Sequence, residues 1–135
     1  MERKPRVVRF IRADVQQAGG RCRAEVELER EPAGRYIGTS EGGADGGGAP
    51  ADLRCVAEAA ARALCQALGA PDNIVTVHGV ETVDTFGQEA VVVSLAANEA
   101  KGVRPLMGFC LTGRDRLRAA ALAVLNGTNR FFDVG

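Results

Sequence analysis

The feature that most constrains the fold of this chain is an order of elements that occurs twice. Residues 6–69 have the pattern of three strands followed by a helix, and residues 73–132 repeat that pattern. A shift of 67 residues superimposes equivalent positions of the two halves, namely Val8 with Val75, Gly20 with Gly87 and Val26 with Val93. Self-similarity of this kind indicates one structural unit built twice. We therefore predict an α+β fold for a single domain, residues 1–135, in which two helices pack on antiparallel sheets of a tandem β-β-β-α repeat.

Hydrophobic periodicity defines the elements of each half. Residues 22–28 alternate between apolar and charged side chains, as in a strand with one buried face. Residues 50–68 have apolar side chains at helical spacing, and Gly69 is the expected stop. Residues 42–49 are rich in glycine and predict a flexible loop. In the second half, Thr112 is the expected N-cap of the last helix.

With small gaps, the later parts of the two halves also match. Gly38 aligns with Gly108 in the third strands. In the helices, the segment Glu58-Ala-Ala-Ala aligns with Arg118-Ala-Ala-Ala. These matches extend the predicted repeat through its helices.

The two halves differ in the outward face of their sheets. The middle strand of the first half carries arginine and glutamate at residues 21–29, whereas the second has Val92, Ser94 and Ala96 there. The third strand differs likewise, with apolar residues around Met107. A strand that is apolar on both faces must be covered on both. Either the first repeat covers this strand, or Val92, Ala96 and Met107 form the interface of a homodimer.

Charge is balanced overall but segregated along the chain. The 17 basic and 17 acidic residues sum to zero, which argues against a nucleic-acid partner. An acidic stretch at residues 72–99 is followed by a basic stretch at residues 101–118. Free backbone N–H groups and the helix dipole attract anions to the first turn of a helix. Arg114, Arg116 and Arg118 are thus a candidate anion site, for a small ligand or for the acidic stretch of a second subunit.

Catalytic and metal-binding motifs are absent from the sequence. The four cysteines lack metal-ligand or dithiol spacing, so we expect buried side chains, no metal and no cofactor. The alternative is a small enzyme in which His78 is paired with Asp84 or Glu81 as base and orienting group, with Cys110 nearby. A third possibility is a structural module that uses the apolar strand face to bind a different protein.

Targeting signals are also missing from the sequence. No apolar run has the length of a membrane span, and residues 1–12 lack the apolar region of a signal peptide. We therefore expect a cytoplasmic protein without a membrane partner.

The tandem β-β-β-α order over residues 6–132 resembles the C-terminal regulatory (dimerisation) domain of 2-isopropylmalate synthase and citramalate synthase. That resemblance implies a dimer that binds a feedback amino acid near its interface. The chain has no counterpart of the glycine- and aspartate-containing ligand loop of that family, so no binding residues are carried over. Together with the residue patterns, it predicts a non-catalytic, dimerising domain that binds a small anionic or amino-acid ligand in a regulatory role.

Overall fold

The computed structural model describes residues 8–30, 34–43, 49–71 and 73–132. Its elements in chain order are β1 (Val8–Ala18), β2 (Arg21–Arg30), β3 (Gly34–Gly43), α1 (Ala49–Ala67), β4 (Val75–Thr85), β5 (Gln88–Glu99), β6 (Gly102–Leu111) and α2 (Arg116–Phe132). Strands β1-β2-β3 form the first sheet and β4-β5-β6 form the second, and both sheets are antiparallel. The predicted α+β fold with a repeated β-β-β-α unit is confirmed.

Both repeats turn between their first two strands in the same way. The two turn residues have positive φ in each case, at 60° and 75° for Gly19 and Gly20 and at 52° and 74° for Phe86 and Gly87. This is the φ pattern of the type I′ turn, whose twist matches that of the strands it joins. Pairing therefore continues to the turn itself, with Ala18 opposite Arg21 and Thr85 opposite Gln88.

The predicted loop at residues 42–49 is too wide. Gly42 and Gly43 belong to β3, where they pair with Cys22 and Arg21 of β2, and Ala49 already belongs to α1. A backbone ladder to a neighbouring strand thus outweighs the low strand propensity of glycine at these two positions. Residues 44–48 lie outside the described part of the chain.

A β-bulge interrupts the first strand of each repeat at the same point. The register shifts between Phe10 and Arg12 in β1 and between Val77 and Gly79 in β4. The 67-residue shift superimposes these two bulges, and His78 is the extra residue of the second one. A bulge bends its strand locally. Its recurrence supports the repeat independently of residue identity.

A glycine in the third strand of each repeat allows the helix to pack very close to that strand. A Cβ on Gly38 would lie 2.2 Å from the carbonyl oxygen of Ala59 and 2.4 Å from the nitrogen of Ala63. A Cβ on Gly108 would lie 2.0 Å from the carbonyl oxygen of Ala123 and 2.5 Å from the nitrogen of Gly127. Gly127 thus corresponds to Ala63. The match of Gly38 with Gly108 thus has a structural basis.

The same contacts correct the helix alignment. Ala59 and Ala63 correspond to Ala123 and Gly127, so the match of Glu58 with Arg118 was wrong by about one helical turn. Alanine recurs at helical spacing in both helices, and sequence similarity alone does not distinguish one turn from the next. The correct alignment pairs Arg54 with Arg118 and Arg62 with Asn126.

Each helix packs on its own sheet and also on the other repeat. Helix α1 lies on β2 and β3 and contacts β4, whereas α2 lies on β5 and β6 and contacts β1. The two helices also contact each other. The core is built from small and aliphatic side chains, and its largest fully buried members include Leu28, Leu53, Leu64 and Leu95. The core thus lies between the two helices and the inner faces of both sheets.

Candidate functional site

The most distinctive surface of the molecule is the outer side of the second sheet, facing away from the helices. The register puts Phe109 opposite Val92 and Met107 opposite Ser94, so these side chains share one side of the sheet. We call this surface the apolar face; its members are Val83, Val92, Val103, Met107, Phe109 and Leu111. Met107 is 68%, Val103 66% and Phe109 57% exposed. The hypothesis that the first repeat covers the outer side of the second sheet was therefore wrong.

The three predicted interface residues differ in their access to solvent. Met107 is exposed at the middle of the face, and Val92 is half-buried. Ala96 is 3% exposed, because this short side chain lies between Thr76 and Pro105 on the neighbouring strands. The larger exposed side chains of β6, Val103, Phe109 and Leu111, were missed. An apolar residue at every second position from 103 to 111 is the sequence signal that could have identified them.

The corresponding side of the first sheet carries compensating charges. Arg12 binds three carboxylates, with Glu25 at 2.8 Å, Glu27 at 2.9 Å and Asp14 also in contact. The hydrogen bond that Arg12 donates to Glu25 is the largest cause of the raised pKa of Arg12. Arg9 pairs with Glu29 at 2.7 Å in the same layer. This surface is well solvated and satisfies its own charges, whereas the apolar face does not bury its side chains.

Side chains of the two helices form hydrogen bonds with backbone groups of three edge strands. Arg54 of α1 donates to the carbonyl oxygens of Val77 (3.2 Å) and His78 (3.1 Å), at the bulge of β4. Arg62 donates to a carbonyl of β3, and a backbone N–H of β6 donates to Asn126 Oδ1 at 3.1 Å. Unpaired backbone groups on edge strands invite pairing with another chain. These bonds therefore engage some of the backbone groups of β3, β4 and β6 within the molecule.

The predicted anion site has internal partners for two of its three arginines. Arg116 makes a two-pronged ion pair with Glu89, at 2.7 and 2.9 Å. The guanidinium of Arg118 lies 5.9 Å from the ring centre of Phe10, and Arg114 is exposed. The three residues therefore lie near the start of α2, with Arg114 in the preceding turn, but they do not form one converging cluster.

The N-cap of α2 is Asp115 and not Thr112. The Asp115 carboxylate accepts the backbone N–H of Arg118 at 3.0 Å, so a negative group already occupies the first turn. The hydroxyl of Thr112 instead donates to the carbonyl oxygen of Glu89 at 3.2 Å. The prediction was wrong because Thr112 directly follows β6 and still bonds to β5. The helix begins only after a further turn of the chain.

The candidate catalytic residues do not converge. His78 is exposed at the bulge, where its backbone carbonyl is the acceptor for Arg54. Asp84 follows six residues later on the same strand, which corresponds to about 20 Å. Cys110 lies two strands away on β6 and packs against the core. The structure thus does not assemble the base, orienting group and nucleophile of the enzyme hypothesis.

We expect Arg54→Met to lower the free energy of unfolding by about 1–2 kcal/mol, because two backbone carbonyls of β4 lose their charged donor. His78→Ala should change it by less than about 0.5 kcal/mol, since only the backbone of His78 is used. Urea unfolding followed by circular dichroism measures both values. A larger loss for His78→Ala than for Arg54→Met would contradict this account of the bulge.

Cysteine burial follows the prediction for Cys22, Cys55 and Cys65, whereas Cys110 is only half-buried. Cys55 Sγ donates to the backbone oxygen of Cys22 at 3.3 Å. Desolvation by burial, and secondarily contact with the Cys55 thiol, raises the pKa of Cys22 to about 12. The reactive thiolate of Cys22 is therefore suppressed at neutral pH.

Iodoacetamide at pH 8 is accordingly expected to modify Cys110 in the folded protein and Cys22 only after unfolding. Because an unfolded thiol ionises near pH 9 while Cys22 in the folded protein stays neutral up to about 12, stability should fall as pH rises through that interval. Mass spectrometry of peptides from native and urea-treated samples checks the labelling. Modification of Cys22 at the rate of Cys110 in the native sample would overturn this assignment.

Comparison with protein-family models and with curated proteins finds no match for this chain. Within the described residues, no group of three or more His, Cys, Asp or Glu side chains is arranged to hold a metal ion. None of the described helices is long and apolar enough to cross a membrane. The site must therefore be interpreted from its own geometry.

Proposed function

We propose that this protein is a non-catalytic domain that forms a homodimer through the apolar face. The observation that carries the proposal is the exposure of Val103, Met107 and Phe109 along one side of β6. The largest contiguous apolar patch of a protein is often an interaction site. The first repeat has the same sheet without such a surface, so the fold itself does not require it.

A second copy of the chain is the partner that the apolar face fits. The outward residues of β6 are 103, 105, 107, 109 and 111, and Met107 is their midpoint. A two-fold axis through Met107, perpendicular to β6, would bring each Met107 against its symmetry mate and Val103 against the second copy's Leu111. Such an interface is self-complementary, as two-fold symmetry requires.

The size of the apolar face supports a dimer. The outer side of the second sheet, which contains the apolar face, has three strands of about ten residues and spans about 15 by 33 Å, or about 500 Å². Two such faces in contact would bury about 1,000 Å², the lower bound for a specific interface. The helix side chains that bond to backbone groups of β4 and β6 oppose strand addition at those points of the second sheet, which favours the face-to-face arrangement.

Sedimentation velocity over a concentration series tests the proposal directly. We expect a species of twice the chain mass at tens of micromolar, and a monomer under those conditions would overturn the dimer. Oxidative cross-linking of Met107→Cys, in a Cys110→Ser background, tests the position of the axis. Ile37→Cys, at the corresponding position of the first repeat, is the control that should stay uncross-linked.

A regulatory role is the second part of the proposal, in line with the resemblance to the regulatory domain of 2-isopropylmalate synthase. Two features support it: the catalytic candidates do not converge, and the apolar face suits a partner surface better than a substrate pocket. A cytoplasmic location remains part of this proposal. Regulation by a small anionic ligand would in addition require a polar site outside the apolar face.

A further inference from the structure

A polar groove runs beside α1, between the edges of β3 and β4. Its volume is about 480 Å³, within the range of small-molecule sites. We call it the Arg62 groove; its lining includes Thr39, Glu58, Ala61, Arg62, Gln66 and Thr76. Because β3 and β4 belong to different repeats, the groove lies where the two repeats meet on one helix. It involves none of the residues of the apolar face.

The side chain of Arg62 offers hydrogen-bond donors to an anionic group in the groove. Arg62 donates one N–H to the carbonyl oxygen of Thr39 at 2.8 Å, which fixes its guanidinium in the groove. A guanidinium has five N–H donors, so this bond leaves donors for a ligand. Glu58 is the acidic group of the lining, and its two oxygens already accept from Ser40 (2.9 Å) and Arg54 (3.2 Å).

The equivalent position in the second repeat, beside α2 and between β6 and β1, carries larger apolar side chains at several places. Ala61 corresponds there to Leu125 and Val77 to Phe10, both of which pack against the core. Arg62 corresponds to Asn126, and Thr39 to Phe109. An arginine held by a strand carbonyl among small side chains is thus a feature of the first repeat, whereas large apolar side chains stand at these positions in the second.

We propose that the Arg62 groove binds a small carboxylate, whose charged group pairs with Arg62 while its remaining polar atoms bond to Gln66 and Thr76. A planar guanidinium matches the two oxygens of a carboxylate. The inference supplies a site for the ligand in the proposed regulatory role, and it stands without the dimer because its residues lie outside the apolar face.

Citrate titration of ¹⁵N-labelled protein tests this inference, with chemical shifts followed at the amides of α1 and at the Arg62 side chain. Arg62→Gln removes the charge, and Ala61→Leu introduces the side chain that the second repeat has at this position. We expect at least about tenfold weaker citrate binding in both variants. Arg114→Gln, an exposed arginine at the other candidate anion site, is the matched control and should bind like the wild type.

The outcomes separate the alternatives. Loss of binding in Arg62→Gln and Ala61→Leu, with Arg114→Gln unaffected, supports the groove, and dispersed amide spectra of each variant exclude a folding defect. Loss in Arg114→Gln alone would assign the anion to the first turn of α2 and overturn the inference. Equal weakening in all three variants, or no citrate binding by the wild type at millimolar concentration, would also overturn it. Sedimentation of the same samples reports separately on the dimer.

Discussion

Gly108→Ala is expected to destabilise the protein by about 3 kcal/mol or more, although it adds a single methyl group. The new Cβ would lie 2.0 Å from the carbonyl oxygen of Ala123 and 2.5 Å from the nitrogen of Gly127. Both contacts are with the backbone of α2, so no side-chain rotation relieves them. The helix would have to lift from β6, with loss of packing around Val124 and other buried residues.

Gly79→Ala is the matched control for this prediction. Gly79 also lies in the second sheet, but a Cβ there would meet nothing within 4 Å, and its φ is not in the left-handed region. Urea unfolding should therefore give a midpoint near that of the wild type for Gly79→Ala and a much lower one for Gly108→Ala. Similar losses for the two variants would mean that the close approach of α2 is not what Gly108 provides.

The prediction extends to Gly38, since the same contact is built in both repeats. A Cβ at Gly38 would lie 2.2 Å from the carbonyl oxygen of Ala59. Gly38→Ala should thus cost an amount similar to that of Gly108→Ala. Similar losses in the free energy of unfolding would show that the two repeats depend on the same contact between a strand glycine and the helix backbone.

Local patterns in the sequence were sufficient to predict the fold, but they were insufficient to align the two repeats residue by residue. The order of elements and the match of Gly38 with Gly108 identified the repeat, because strand alternation and turn glycines are local signals. The bulges at Ile11 and His78 leave no such signal. The helix alignment failed by one turn because alanine recurs along both helices, and only the contact with the strand glycine distinguishes the turns.

The proposed interface and the Arg62 groove were only partly predictable from the sequence. Val92 and Met107 showed that the second sheet is apolar on both sides, but whether another element covers it depends on where the first repeat packs. The pair of Arg116 with Glu89 joins residues 27 positions apart and follows from tertiary structure alone. The Arg62 groove likewise requires β3 and β4 to meet on one helix, which no local pattern encodes.

Met107→Lys is expected to convert the proposed dimer into a monomer at tens of micromolar. A two-fold axis through this position would bring two ammonium groups together in an apolar environment, where an unpaired charge costs several kcal/mol. A cost of about 3 kcal/mol corresponds to a dissociation constant more than 100-fold higher. The folded monomer should be unaffected within about 0.5 kcal/mol, because Met107 is 68% exposed.

Ile37→Lys separates loss of the interface from a general effect of added charge. Ile37 precedes Gly38 as Met107 precedes Gly108, and it is 44% exposed on the outer side of the first sheet. Its register partner is Glu27, which already takes part in ion pairs there, so a lysine is readily accommodated. Dissociation by Met107→Lys but not by Ile37→Lys would assign the dimer to the second repeat. If both variants dissociated equally, or if Met107→Lys stayed dimeric, the apolar face would not be the interface, and its exposure would then require a different protein as partner.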